Sequence, residues 1–199
     1  VDDAIAKLVS LSSAPEGETH ARDALQRLMH PTEPRLLFES ALMVLPRTYL
    51  YGAWGADDAV RWRDAYGLDD DAVVFALDLV GGYFALERAG VTYIDPEFGG
   101  RTPFAESVDA WADVMLSDFD LWSGHSVCRA WQLEHGALAA TERLAPQKPI
   151  VLGGRVEVEN LVRADMWALR DSYAALARDL VGSADGTPFT GRWRWADTG

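Results

Sequence analysis

Cysteine is nearly absent from this chain: Cys128 is the only one among 199 residues. A lone thiol excludes an internal disulfide framework and a cysteine-based zinc cluster, and it suits a reducing compartment with Cys128 in the core. Long hydrophobic runs are missing as well. No apolar stretch approaches the ~18 residues of a membrane span. The opening VDDAIAKLVSL lacks the basic and apolar regions of a secretory signal, so a cytoplasmic location is expected. Positive charge is scarce, with 18 Lys and Arg against 31 Asp and Glu and a net charge of −13. That balance disfavours nucleic acid phosphates and anionic membranes as partners; it fits either simple solubility or a basic protein partner.

The usual chemical signatures are missing too. Neither the Gly-x4-Gly-Lys-Ser/Thr loop nor Gly-x-Gly-x-x-Gly occurs, and Gly81-Gly82 lies between two strand-like runs with no helix behind it to meet a phosphate. Glycine there is expected to permit positive φ or a bulge. The histidines His20, His30, His125 and His135 lack the three- or four-residue spacing of zinc ligands on a helix. Ser123-Gly124-His125-Ser126 is not a nucleophile elbow. Asp69-Asp70-Asp71 and Asp95-Pro96-Glu97 are acidic turns without the spacing of a calcium loop. No cofactor or metal is expected.

What the chain does contain is a succession of short elements. A short opening helix leads to the loop-like SSAPEGET, and HARDALQRLMH places Ala21, Leu25, Leu28 and Met29 on one helical face before Pro31 and Pro34. This N-terminal part reads as helical and peripheral. LLFESALMVLPRTYL fits either a helix running into a strand or a pair of strands; helix into strand is the favoured reading. An amphipathic helix follows Asp57 and Asp58 and ends at Gly67. VVFALDL, YFALE and VTYI then form an antiparallel meander.

Ser107 can cap a helix that buries Val108, Trp111, Ala112, Met115 and Leu116. Another helix spans Gly124 to His135, with Gly136 as its stop. Strands are expected around Pro149–Leu152 and Val156–Leu161, then a helix over Asp165–Leu180 and a strand over Pro188–Trp195. In GRWRW, strand alternation sends Trp193 and Trp195 to one face and Arg192 and Arg194 to the other, a simpler reading than base stacking. Strands in runs interrupted by helices indicate an α+β fold. From Glu106 to Asp120 there are five carboxylates and no basic side chain, which makes a negative stripe.

The order of FESALMVLP, a helix ending DAYG, VVFALDLVGGYFALERAGVTYIDPEFGG, a Trp-containing acidic helix, RAWQLEHG and RLAPQKPIVLGGRVEVENL resembles the SMI1/KNR4-like family, also called the SUKH superfamily. The likeness runs roughly from Leu37 to Leu161. The opening 30 residues have no counterpart in it, and RADMWALRDSYAALARDLVG looks like a divergent final helix. The chain thus divides into an N-terminal helical extension, 1–34, and an SMI1/KNR4-like domain, 35–199. The resemblance implies a single α+β domain, a central, largely antiparallel sheet flanked by helices, with no catalytic centre. Bacterial members of that family often act as immunity proteins against a cognate toxin, frequently a nuclease; fungal relatives act as regulatory scaffolds. An immunity-type protein that binds a basic toxin is therefore expected, with Asp69, Asp70, Asp71, Asp95, Glu97, Glu106, Asp109 and Asp113 as candidate contacts. A scaffold domain without a toxin partner is the alternative. An enzyme using Asp78, Asp95, Glu97 and His125 is a third reading.

Overall fold

A computed structural model describes residues 3–12, 24–48, 66–68, 72–181, 183 and 186–195. Asp69, Asp70, Asp71, nearly all of SSAPEGET and nearly all of the helix expected after Asp58 lie outside the described residues. The fold is α+β, with a six-stranded antiparallel sheet in simple sequential order flanked by helices, and a separate two-stranded ribbon.

The sheet comprises β1 (Arg35–Leu37), β2 (Leu42–Val44), β3 (Val73–Leu77), β4 (Tyr83–Glu87), β5 (Gly90–Ile94) and β6 (Arg101–Ala105). The expected meander is β3 to β5, paired in register Val73↔Leu86 and Leu77↔Tyr83, then Tyr83↔Ile94 and Glu87↔Gly90. Gly81, at φ +87°, turns the chain between β3 and β4 as positive φ requires. β6 was not anticipated because Pro103 interrupts its pattern. It lies at the sheet edge, where a missing N–H leaves the inner ladder intact.

The favoured reading of LLFESALMVLPRTYL as a helix running into a strand is corrected: its first part is the β1–β2 hairpin, the strand-pair alternative, with Leu36 opposite Met43. Its turn places Phe38, Glu39 and Ser40 at φ 52°, 52° and 73°, three successive non-glycine residues in the left-handed region. Such a turn carries no glycine signal. It is held by long-range bonds. The Glu39 carbonyl accepts from Gln132 Nε2 at 2.7 Å and from Cys128 Sγ at 3.5 Å, and the Ser40 carbonyl accepts from Arg143 Nη1 at 3.2 Å.

Among the described residues, six helices surround the strands: α1 (Ala4–Ser10), α2 (Ala24–Leu28), α3 (Val108–Ser117), α4 (Phe119–Ser123), α5 (His125–His135) and α6 (Met166–Leu180). Along β4, Phe84 meets Trp111 of α3 at 5.6 Å between ring centroids, while Tyr83, on the opposite face, meets Tyr66 at 5.7 Å. Both sheet faces are therefore covered. Ile5 and Leu8 of α1 and Leu28 and Met29 at the end of α2 join this main core and are at most 1% exposed. The N-terminal segment is thus not peripheral: its apolar stripe closes the core over α3.

The ribbon pairs β7 (Glu142–Pro146) with β8 (Leu161–Asp165). Strands expected over Pro149–Leu152 and Val156–Leu161 are corrected to 3-10 turns at Ile150–Leu152 and Val158–Asn160, with β8 starting only at Leu161. Short apolar runs do not distinguish these states. Two smaller cores flank the ribbon. Leu79, Cys128, Trp131 and Leu144 pack in one, and Leu169, Tyr173, Trp193 and Trp195 in the other. The expected final strand is corrected to irregular chain, although Trp193 and Trp195 are buried and Arg192 and Arg194 exposed, as alternation required. Trp193 Nε1 anchors that segment by donating to the Pro146 carbonyl at 2.6 Å.

Candidate functional site

Of the three acidic regions in the sequence, two lie among the described residues, and the fold treats them differently. The first surrounds the ends of β3 and β5. Asp78 is 8% exposed, and its carboxylate accepts from the Val80 and Gly82 amides at 3.0 and 2.7 Å and from the Tyr93 hydroxyl at 2.9 Å. Burial raises its pKa, opposed by those three bonds. Asp95, half-buried, accepts from the Glu97 amide at 2.8 Å. Glu97 is 4% exposed and reaches across to the Ile150 and Val151 amides at 2.8 and 2.5 Å, binding the turn after β7 to the turn before β6. Burial raises the pKa of both, and the backbone bonds work against it. Pro96 adds a further tie: its carbonyl accepts from Tyr66 Oη at 2.7 Å.

These carboxylates are engaged in holding loops together. Glu97 is accordingly removed from the surface contacts expected of it, because both oxygens are committed to backbone amides inside the protein. His125, grouped with Asp78, Asp95 and Glu97 in the enzyme reading, faces other partners: Glu39 Oε2 at 3.7 Å and the Phe119 ring at 5.2 Å. Among the described residues no group of three His, Cys, Asp or Glu side chains is placed to hold a metal ion.

The second region is α3 with α4. Ser107 accepts from the Ala110 amide at 3.1 Å and starts α3, with Asp109 in the first turn where the helix dipole favours a carboxylate. Val108, Trp111, Ala112 and Met115 point inward. Spacing of three and four therefore turns Asp109 and Asp113 to solvent, with Glu106 exposed just before the helix. Asp109 meets Arg27 Nη2 at 3.3 Å, and Arg27 also pairs with Asp3. Glu106 and Asp113 make no side-chain hydrogen bond or ion pair to any described residue.

Asp118 then caps α4 by accepting from the Leu121 amide at 3.1 Å. Asp120 accepts from Ser126 N and Oγ at 2.6 and 2.9 Å, which holds its carboxyl below the ordinary range. Gly124, at φ +74°, ends α4 and begins α5. This tight α4 corner leaves three large apolar side chains outside: Phe119 is 39%, Leu121 67% and Trp122 37% exposed. Phe119 stacks on Phe38 of the strained hairpin at 4.9 Å, and Trp122 stands edge-on to Phe104 of β6 at 5.0 Å. Helical spacing puts Phe119 and Trp122, three residues apart, near one face of α4 and turns Leu121 away from it.

The expected contacts thus separate. Glu106, Asp109 and Asp113 share one exposed surface; Asp95 and Glu97 lie before β6, whose five residues span about 17 Å. Sequence reasoning missed the exposed apolar side chains of α4. The signal was FDLW set among Asp118, Asp120 and Ser123, apolar residues in a polar corner.

No family model matches the chain, and no curated protein sequence matches it. Among solved structures it is similar to that of Atu4351 from Agrobacterium tumefaciens, at 13% identity over 87% of each chain and a TM-score of 0.49. A likeness at that level carries no functional argument.

Proposed function

We propose that the protein works by stoichiometric binding, as an immunity-type member of the SMI1/KNR4-like family that captures and neutralises a basic toxin domain. The immunity expectation comes from the sequence resemblance. Its physical support is the α3–α4 surface, whose sequence from Glu106 to Asp120 carries five carboxylates and no lysine or arginine, with Arg27 of α2 pairing Asp109 alone among them, on a chain of net charge −13. Such a surface speeds encounter with a cationic partner through long-range attraction, and the gain falls as salt is raised. Slow release then requires packed apolar contact, since rim charges act mainly on the association rate.

The test is a search for a basic toxin domain encoded beside this chain and, with any such domain, co-expression followed by purification of the pair. The reading expects growth rescue, a 1:1 complex and inhibition that saturates at one equivalent. It further expects an association rate that falls at least tenfold between 50 and 500 mM salt. Inhibition absent at equimolar protein would overturn it.

A further inference from the structure

We propose that the cleft at the C-terminal end of α6 binds a small organic cation, an alkylammonium whose charged head meets Asp179 and whose aliphatic body lies against Leu180, Pro188 and Phe189. The cleft forms where the chain that follows α6 returns to the end of the helix, and its volume is about 340 Å³. Its returning wall is pinned. Trp193 donates to the Pro146 carbonyl and packs on Tyr173 of α6 at 5.1 Å between ring centroids. On the helix side the Ser183 amide donates to the Leu180 carbonyl at 3.0 Å. Walls held in this way lose little conformational freedom when a ligand enters. The cleft shares no residue with the acidic α3–α4 surface, so the proposal goes beyond the toxin-binding reading and stands or falls separately from it.

Charge and shape select the occupant. Among the described residues lining the cleft, Asp179 is the one charged side chain, and its carboxylate makes no hydrogen bond or ion pair with any described residue. Arg178, the cation of the same turn, lies toward Tyr66 instead. The last turn of a 15-residue helix adds partial negative charge from its carbonyls. Ser183, Thr187 and Thr190 bring hydroxyl oxygens that can accept from the three N–H groups of an ammonium. Gly191 is what lets the apolar wall meet the acid. A Cβ there would stand 2.5 Å from the Phe189 ring and 2.8 Å from Asp179 Oδ2, so ring and carboxylate converge over a position that glycine alone leaves open. Such a cleft repels an anion, gives a neutral alcohol only its apolar wall, and gives an alkylammonium both wall and charge.

The experiment titrates the full ¹⁵N-labelled chain at neutral pH with n-pentylamine, n-pentanol and pentanoate, probes of one length that differ in charge. The expected result is amide shifts centred on Asp179, Leu180, Ser183, Thr190 and Gly191 for the amine, saturating by about 10 mM, with affinity at least about tenfold above either other probe. Asp179→Asn keeps the shape of the cleft and removes the advantage of the amine, while its thermal midpoint stays within a few degrees because the side chain is exposed. Asp113→Asn, which removes a carboxylate outside the cleft, leaves amine binding unchanged. Gly191→Ala parts the ring from the carboxylate and weakens the amine at least about fivefold. Equal binding of pentanol, amine binding unchanged in Asp179→Asn, shifts centred elsewhere, or no saturation by about 10 mM amine overturns the site.

Discussion

Replacing Gly82 by alanine tests whether the Asp78–Tyr93 pair holds the turn between β3 and β4. Gly82 has no positive φ to satisfy, so backbone preference does not resist alanine there. Space does. An added Cβ would stand 2.2 Å from Tyr93 Oη and 2.4 Å from Asp78 Oδ2, more than about 1 Å inside van der Waals contact. Tyr93 and Asp78 must separate, which loses a buried hydrogen bond to a carboxylate, about 1.5–3 kcal/mol, and leaves polar atoms unsatisfied at about 1–3 kcal/mol more. We expect Gly82→Ala to cost about 3–4 kcal/mol, a large part of the 5–15 kcal/mol typical of whole domains. Tyr93→Phe alone should cost about 2 kcal/mol and also removes the nearest clashing atom. Hence the double variant should be at least about 1 kcal/mol more stable than the sum of the singles. Urea unfolding with a constant m-value reads these differences. A Gly82→Ala cost under about 1 kcal/mol, or strict additivity with Tyr93→Phe, would refute the reasoning.

Asp78, Asp95 and Glu97 have raised pKa values in the fold, so the native state holds their protons longer than the unfolded chain does. Their contribution to stability is full below the ordinary values of 3.8 for Asp and 4.5 for Glu and is lost as pH rises through the raised native values. Urea midpoints measured against pH should show this fall, and Asp78→Asn should flatten part of it. Cys128 is fully buried, with its thiol pushed up to about 11, so at pH 8 a disulfide reagent should react at least 100-fold more slowly with the native than with the urea-unfolded chain. Arg143 is buried with its pKa lowered to about 10, and its Nε and Nη2 find no acceptor among the described residues. Arg143→Ala should cost about 3 kcal/mol through the void and the lost bond to Ser40, and Arg143→Met, which refills the void, less than half of that by thermal unfolding. Trp111→Ala, emptying the space between Phe75 and Phe84, should cost about 3–5 kcal/mol by the same measurement.

The meander, α3, α5 and α6 were legible because each announces itself locally. Short runs of β-type apolar residues end in glycine turns, and Ser107, Gly136 and Asp165 mark helix ends that the structure uses as caps. The β1–β2 hairpin was not legible, since its turn conformation is set by Gln132 and Arg143 about a hundred residues away. The same holds for the turn at Ile150–Leu152: its apolar letters suit a strand, and its shape comes from Glu97 capturing two amides. In the acidic surface, Glu106, Asp109 and Asp113 were found by charge alone, while the burial of Glu97 and the exposure of Leu121 depend on contacts that no local spacing encodes. Buried arginines are the sharpest case. Arg35 and Arg143 are at most 1% exposed, against every prior for that side chain.

A two-stranded hairpin with a short turn normally forms in microseconds from its own neighbours. The one between Arg35 and Val44 is built otherwise, because Phe38, Glu39 and Ser40 hold φ values that cost of order 1–3 kcal/mol each, and the groups that hold them lie 89 to 103 residues downstream. The most local piece of the sheet therefore waits for α5 and β7 to arrive. In folding kinetics it should behave as a late structure, with substitutions in the turn accelerating unfolding and leaving the folding rate almost unchanged. A protein that emerges N-terminus first would then keep this edge of its sheet open until most of the chain has been made.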